Sequence, residues 1–144
     1  MSDFSESKRT AISERAGFRC EYCHLPTRGQ VATFPIDHVL PKSAGGTNDS
    51  DNLALSCPHC NAHKWIDTAG IDPDTGQPVP FFNPRKDTWD EHFVWSRFGD
   101  GILAGRTPCG RATIIGLRIN DPDMVALRQL LRGANLFEYS ESDS

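Results

Sequence analysis

Four of the chain's five cysteines fall into two Cys-x2-Cys pairs, Cys20/Cys23 and Cys57/Cys60. No other feature narrows the choice of fold so much. Each pair offers two thiolates to one ion, and two pairs complete a tetrahedral zinc shell with no position left for water. The zinc expected here is therefore structural. A disulfide framework is disfavoured, because the opening MSDFSESKRT lacks the apolar stretch of a secretory signal and the cytosol keeps thiols reduced. A redox Cys-x-x-Cys needs only one pair, in a thioredoxin-like setting that these residues do not provide. Cys109, in Thr107-Pro108-Cys109-Gly110, has no partner motif and reads as a small loop or strand residue.

A chain of 144 residues is long enough for one domain with a modest core and too short for two. The expectation is a single domain over residues 1–144, with a motif core at 20–66 and a C-terminal extension at 70–138. No run of 18 apolar residues occurs, so no membrane span is expected and the cytoplasm is the expected location. The net charge is −4, from 15 basic and 19 acidic residues. That balance weighs against affinity resting on a broad basic surface, without excluding nucleic acid as a partner.

Along the chain, residues 5–16 read as a short helix with Ser5 as N-cap and Gly17 just past its end. Val31–Leu40 is β-branched and aromatic but interrupted by Pro35, which predicts a bent or edge strand. PKSAGGTNDSD is turn chemistry throughout. Asn52–Ser56 is a short strand, and Pro58 suits the first turn of a helix reaching about Trp65. Farther on, IDPDTGQPVPFFNPR predicts an extended, turn-rich wrap. Trp89, Phe93, Val94 and Trp95 should pack inward. Residues 111–119, RATIIGLRI, read as a strand. Asp121-Pro122 opens a final helix with Met124, Leu127 and Leu131 on one face and Gly133 at its end. The tail after Tyr139 reads as frayed.

On this scaffold stand Asp37 and His38 on the first strand, Asn52 at the start of the second, and Asn61 directly after Cys60. Neighbours on a strand point to opposite faces, so one of Asp37 and His38 can reach an ion while the other addresses substrate. The oxygens of Asp37 and Asn61 are hard ligands that leave room for water and phosphate, which suits Mg²⁺ or Mn²⁺. His38 is the natural general base, since an imidazole with an unperturbed pKa of about 6.5 accepts a proton near neutrality. In-line hydrolysis of a phosphodiester then needs no covalent nucleophile.

Residues 20–64 resemble the HNH endonuclease family: Cys-Glu-Tyr-Cys, then Ile-Asp-His-Val-Leu-Pro-Lys-Ser-Ala-Gly-Gly-Thr, then Asp-Asn-Leu-Ala-Leu-Ser-Cys-Pro-His-Cys-Asn-Ala-His-Lys. The resemblance implies an α+β fold with a ββα-metal (His-Me finger) core. It also implies Asp37 as metal ligand, His38 as general base and Asn52 as the residue that fixes the loop between the strands. Many members carry histidine at the third motif position; Asn61 stands there in this chain, as in the His-Asn-Asn subset where that asparagine binds the metal. The stretch from Ile71 to Leu131, with Trp-Asp-Glu-His-Phe and Gly-Arg-Ala-Thr, is similar to the tail of a set of bacterial HNH proteins.

The function expected is metal-dependent cleavage of double-stranded DNA, with Zn²⁺ as structural and Mg²⁺ or Mn²⁺ as catalytic cofactor. A zinc-stapled module that binds nucleic acid without cutting is the rival, and a protein-interaction zinc domain is a remoter one. His63 lies about 200° around the helix from Asn61 and should not share its face. His24 and His59 adjoin cysteines whose ion is already fully ligated, so they are expected beside that site or in solvent. Packing is the default for His92. Lys64 and Arg85 are candidate phosphate contacts, though lone basic residues are usually solvated surface.

Overall fold

The computed structural model describes residues 4–139. Its first helix, α1 (Glu6–Arg15), starts where the Ser5 hydroxyl accepts the Lys8 N–H at 3.2 Å. It ends before Gly17, whose φ of 70° suits a residue without a Cβ. Ile12 is its one buried side chain, so arginines help to dock it. Arg9 donates to the Phe34 carbonyl at 2.7 Å and Arg15 to that of Leu53 at 2.6 Å.

Strand β1 (Ile36–His38) pairs antiparallel with β2 (Leu53–Leu55), in the register Ile36↔Leu55, Asp37↔Ala54 and His38↔Leu53. The strand expected from Val31 to Leu40 is thus cut to three residues. Pro35 accepts from the Ser56 N–H but has no donor to return, and pairing stops there. All of β2 is buried. The intervening loop carries two 3-10 turns, Lys42–Ala44 and Ser50–Asn52. Helix α2 (Pro58–Lys64) follows, with Cys57 as its N-cap and Pro58 in its first turn.

The C-terminal part adds two more hairpins and three helices. Strand β3 (Ala69–Ile71) pairs with β4 (Pro78–Pro80), and after α3 (Trp89–His92), β5 (Phe93–Trp95) pairs with β6 (Leu103–Gly105). Phe93 and Trp95 are buried and Trp89 packs against them; Val94 is half-exposed, because alternation turns it to the other face. Residues 111–119 are not a strand. They belong to α4 (Pro108–Gly116) and the turn after it. The Thr107 hydroxyl caps the Gly110 N–H at 3.0 Å, and Pro108 occupies the first turn. Burial of Gly110, Thr113, Ile114 and Leu117 follows helical spacing. A β-branched run had suggested the strand, but cap and tertiary packing decide otherwise. This also places Cys109 on a helix rather than in a loop or strand.

Helix α5 (Pro122–Gly133) buries Met124 and Leu131, with Leu127 packed partly against the core. Its Arg128 is fully buried and tied to backbone: Nε donates to the Gly101 carbonyl at 2.7 Å and Nη1 to that of Ile119 at 3.0 Å. One apolar cluster joins Ile12 of α1, the cysteines, Leu53 and Leu55 of β2, and Phe137 and Tyr139 near the end of the described residues. The architecture is α+β, helices with small antiparallel sheets. Among the described residues no helix is long and apolar enough to cross a membrane. The tail after Tyr139 lies outside them.

Candidate functional site

The knuckle at Cys20–Cys23 meets the start of α2, and all four cysteines are fully buried with their sulfurs within 4.8 Å of one another. Sγ of Cys23 lies 3.7 Å from Sγ of Cys57. A tetrahedral ion with bonds of about 2.3 Å separates its sulfur ligands by roughly 3.8 Å, so the donor set fits zinc in chemistry and spacing. Burial opposes ionising the Cys20 thiol, but its hydrogen bonds with Cys23, Cys57 and Cys60 outweigh that and pull it well below its usual value. The bonds with Cys20 first, and burial after them, push Cys23 and Cys60 up. Four thiolates cannot share a water-free pocket without a cation, and the cluster is built to hold a metal.

A second feature opens beside it. Asp37 and His38 from β1 and Asn61 from α2 line one shallow groove of about 300 Å³, together with Lys42, Trp65 and Ile66. His38 sits half-exposed, with Nε2 2.7 Å from the amide oxygen of Asn48 and its ring 5.9 Å from that of Phe4. Asn52 lines no part of this groove and ties the loop instead. Its Oδ1 accepts the Leu40 N–H at 2.9 Å, and its Nδ2 donates to the carbonyls of Leu40 and Thr47 at 3.0 and 2.9 Å. The loop closes so tightly that a Cβ on Gly46 would stand 1.7 Å from the Leu40 oxygen, so no other residue fits there. Trp65 rims the groove at 71% exposure, with φ at 48° and ψ at −117°, outside the ordinary regions for an L-residue.

Two groups whose pairing with Asp37 the sequence did not reveal surround its carboxylate. Tyr22 donates its hydroxyl to Oδ2 at 2.6 Å, and Lys64 brings Nζ to 3.2 Å of the same carboxylate. Lys64 donates also to the carbonyls of His38 and Val39 at 3.3 Å each. With Lys64 at 2% exposure and Asp37 at 4%, this is a buried ion pair and not the solvated lysine expected. Burial raises the Asp37 carboxyl, against the pull of Lys64 and Tyr22. Burial, then the charge of Asp37, pushes the Tyr22 phenol well above its usual value. Arg85 is likewise drawn inward, paired with Glu21, whose other oxygen accepts the Leu55 N–H. Burial raises the Glu21 carboxyl. A Cys-x2-Cys turn carrying Glu21 and Tyr22 was the available signal, but nothing local tells which side chains these residues meet.

The remaining histidines are placed elsewhere. His24 stacks on Trp89 with ring centres 3.8 Å apart. His92 keeps Nδ1 2.6 Å from the Thr107 hydroxyl and packs against Phe82 and Phe93. His59 and His63 face each other on α2, away from the groove. A larger cavity of about 620 Å³ lies behind Lys64, lined by Asn52, Phe81, Asn83, Lys86 and Asp87 among others, and holds no histidine or cysteine.

Residues 20–65 match the family model of the HNH endonucleases. The matched stretch is about a third of the chain and takes in the four cysteines, Asp37, His38, Asn52 and Asn61. Neither a curated protein nor a solved structure matches the chain. The family match points to a function on nucleic acid, as nuclease or as binding protein.

Proposed function

We propose that this chain is a metal-dependent endonuclease of double-stranded DNA, built on a ββα-metal core of β1, β2 and α2. One observation carries the reading: Asp37, His38 and Asn61, on a strand and a helix far apart in sequence, line the same open groove. In this reading His38 is the general base. Donation of its Nε2–H to the Asn48 amide oxygen holds the ring and leaves the Nδ1 lone pair to take a proton from water. Asp37 and Asn61 would hold Mg²⁺ or Mn²⁺; Tyr22 takes Oδ2 of Asp37 and Lys64 approaches both of its oxygens, and a carboxylate with about four lone-pair sites keeps capacity for an ion. Such an ion, when bound, neutralises charge on the scissile phosphate and the leaving oxygen. Asn52 positions the loop that carries Asn48, and the cysteine cluster holds a structural zinc that anchors α2.

The test is incubation of the purified protein with supercoiled plasmid, with and without Mg²⁺ or Mn²⁺, beside His38→Ala. Nicked or linear product that needs the ion, and a loss of about 10²–10⁴ in rate for His38→Ala with DNA binding retained, is the expected result. A His38→Ala protein that cuts at the wild-type rate overturns the assignment of the base. One observation favours a second reading, a module that binds nucleic acid without cutting: Lys64 already answers the charge of Asp37. In that case DNA binds, no ion elicits cleavage, and His38→Ala changes nothing.

A further inference from the structure

Helix α2 presents a second set of donors on the side away from the groove. His59 and His63 are one helical turn apart, their ring centres 4.4 Å from each other. Asp121, at the start of α5, joins them: one donor atom from each of the three lies within 4.8 Å of the others. We propose that His59, His63 and Asp121 form a separate, exchangeable site for a transition ion of the zinc, nickel or copper type, latching α2 to the turn between α4 and α5.

The chemistry selects the ion. Two imidazoles and one carboxylate suit zinc, nickel or copper, and neither the soft tetrathiolate cluster nor the oxygen donors of the groove duplicate that set. Bonds of about 2.1 Å place neighbouring ligand atoms roughly 3.4 Å apart in a tetrahedral site. All three side chains are half-exposed and have room to close that distance by small rotations.

The surroundings also fit. The Nε2 of His59 lies 2.7 Å from the Arg118 carbonyl. A ring that donates through Nε2 carries its lone pair on Nδ1, and a backbone carbonyl on the far nitrogen is the usual support of a metal-binding histidine. Asp121 meets the Arg118 guanidinium at 3.0 Å, which balances its charge while leaving carboxylate lone pairs for an ion. Three protein ligands leave at least one position for water, so the ion should exchange, unlike one enclosed by four thiolates. The helix that supplies two ligands is itself fixed by Cys57 and Cys60. The third ligand comes from the C-terminal extension, outside residues 20–65, so an ion here joins the two parts of the chain.

The proposal does not depend on nuclease activity and is tested without DNA. Untagged protein, with its tightly held zinc retained, is treated briefly with EDTA, desalted and titrated with Ni²⁺ and with Zn²⁺ by calorimetry. Thermal unfolding is followed in parallel. About one further ion per chain should bind and raise the Tm. His63→Gln and Asp121→Asn should each lose that ion and the Tm increase while keeping the zinc content of the wild type by elemental analysis. Asp121 makes no side-chain bond to its own helix, so the asparagine variant preserves the start of α5. A wild type that takes up no further ion, or a His63→Gln protein that still binds it as tightly, overturns the site.

Discussion

Removing the ammonium of Lys64 is the sharpest perturbation of the protein's interior. In Lys64→Met the apolar stem is kept, but Asp37 loses its counter-charge, and the carbonyls of His38 and Val39 lose a donor. Deleting one partner of a buried ion pair costs about 3–5 kcal/mol. Two features place the expected loss at the lower end. Every Lys64 contact is 3.2 Å or longer, and Asp37 keeps its 2.6 Å bond from Tyr22. A loss of about 3 kcal/mol lowers the Tm of a chain this size by roughly 6–12 °C. Guanidinium unfolding of zinc-loaded protein near neutral pH, followed by far-ultraviolet circular dichroism, measures it. The companion variant Asp37→Asn/Lys64→Met buries neither charge and should recover part of the loss. A single variant within about 0.5 kcal/mol of wild type, or a double variant no more stable than the single one, would refute the view that charge compensation is what Lys64 supplies.

Elemental analysis should find about one tightly held zinc per chain; Cys57→Ser should lose it and unfold or aggregate, whereas Cys109→Ser should keep it. Asp72, fully buried in the turn between β3 and β4, is held well below the usual carboxylate range by the Arg111 guanidinium, at 2.8 and 3.0 Å. Because its folded value is depressed, its contribution is complete above the unfolded pKa of about 3.9 and is lost as pH falls through the folded one. Asp72→Asn should therefore be less stable than wild type near pH 7, with the gap narrowing below about pH 4, as urea unfolding across that range would show. A gap that stays constant into acid would mean that the ion pair contributes nothing to stability.

Much of the site could be read from local pattern alone. The two cysteine pairs announced one four-sulfur cluster able to hold a metal, because spacing within each pair is itself the ligand geometry. The order of strand, loop, strand and helix followed from Pro35, the turn-forming run after Leu40, and Pro58. What escaped was set by distant partners. Lys64 is buried by a carboxylate 27 positions earlier, and Arg85 by one 64 positions earlier; no window of neighbouring residues encodes either. Helix α4 was hidden by a β-branched run whose preference yielded to its cap at Thr107 and to packing on the β3–β4 hairpin, just past which the Thr113 hydroxyl accepts the Phe82 N–H at 2.9 Å. His63 was recognisable as facing away from Asn61, but its meeting with His59 and Asp121 lay beyond the reach of any helix pattern.

Trp65 turns the groove into something that can be watched. The chain has three tryptophans; Trp95 is buried and Trp89 half-buried, its indole N–H held by the Tyr22 carbonyl at 2.9 Å. Only Trp65 stands mostly in water, on the rim beside Asp37, His38 and Asn61. Its emission should accordingly be the long-wavelength, iodide-quenchable part of the spectrum, with the other two reporting the interior. An occupant that covers the rim should displace water from this ring, so its colour and its shielding from quencher would register occupancy without any attached dye.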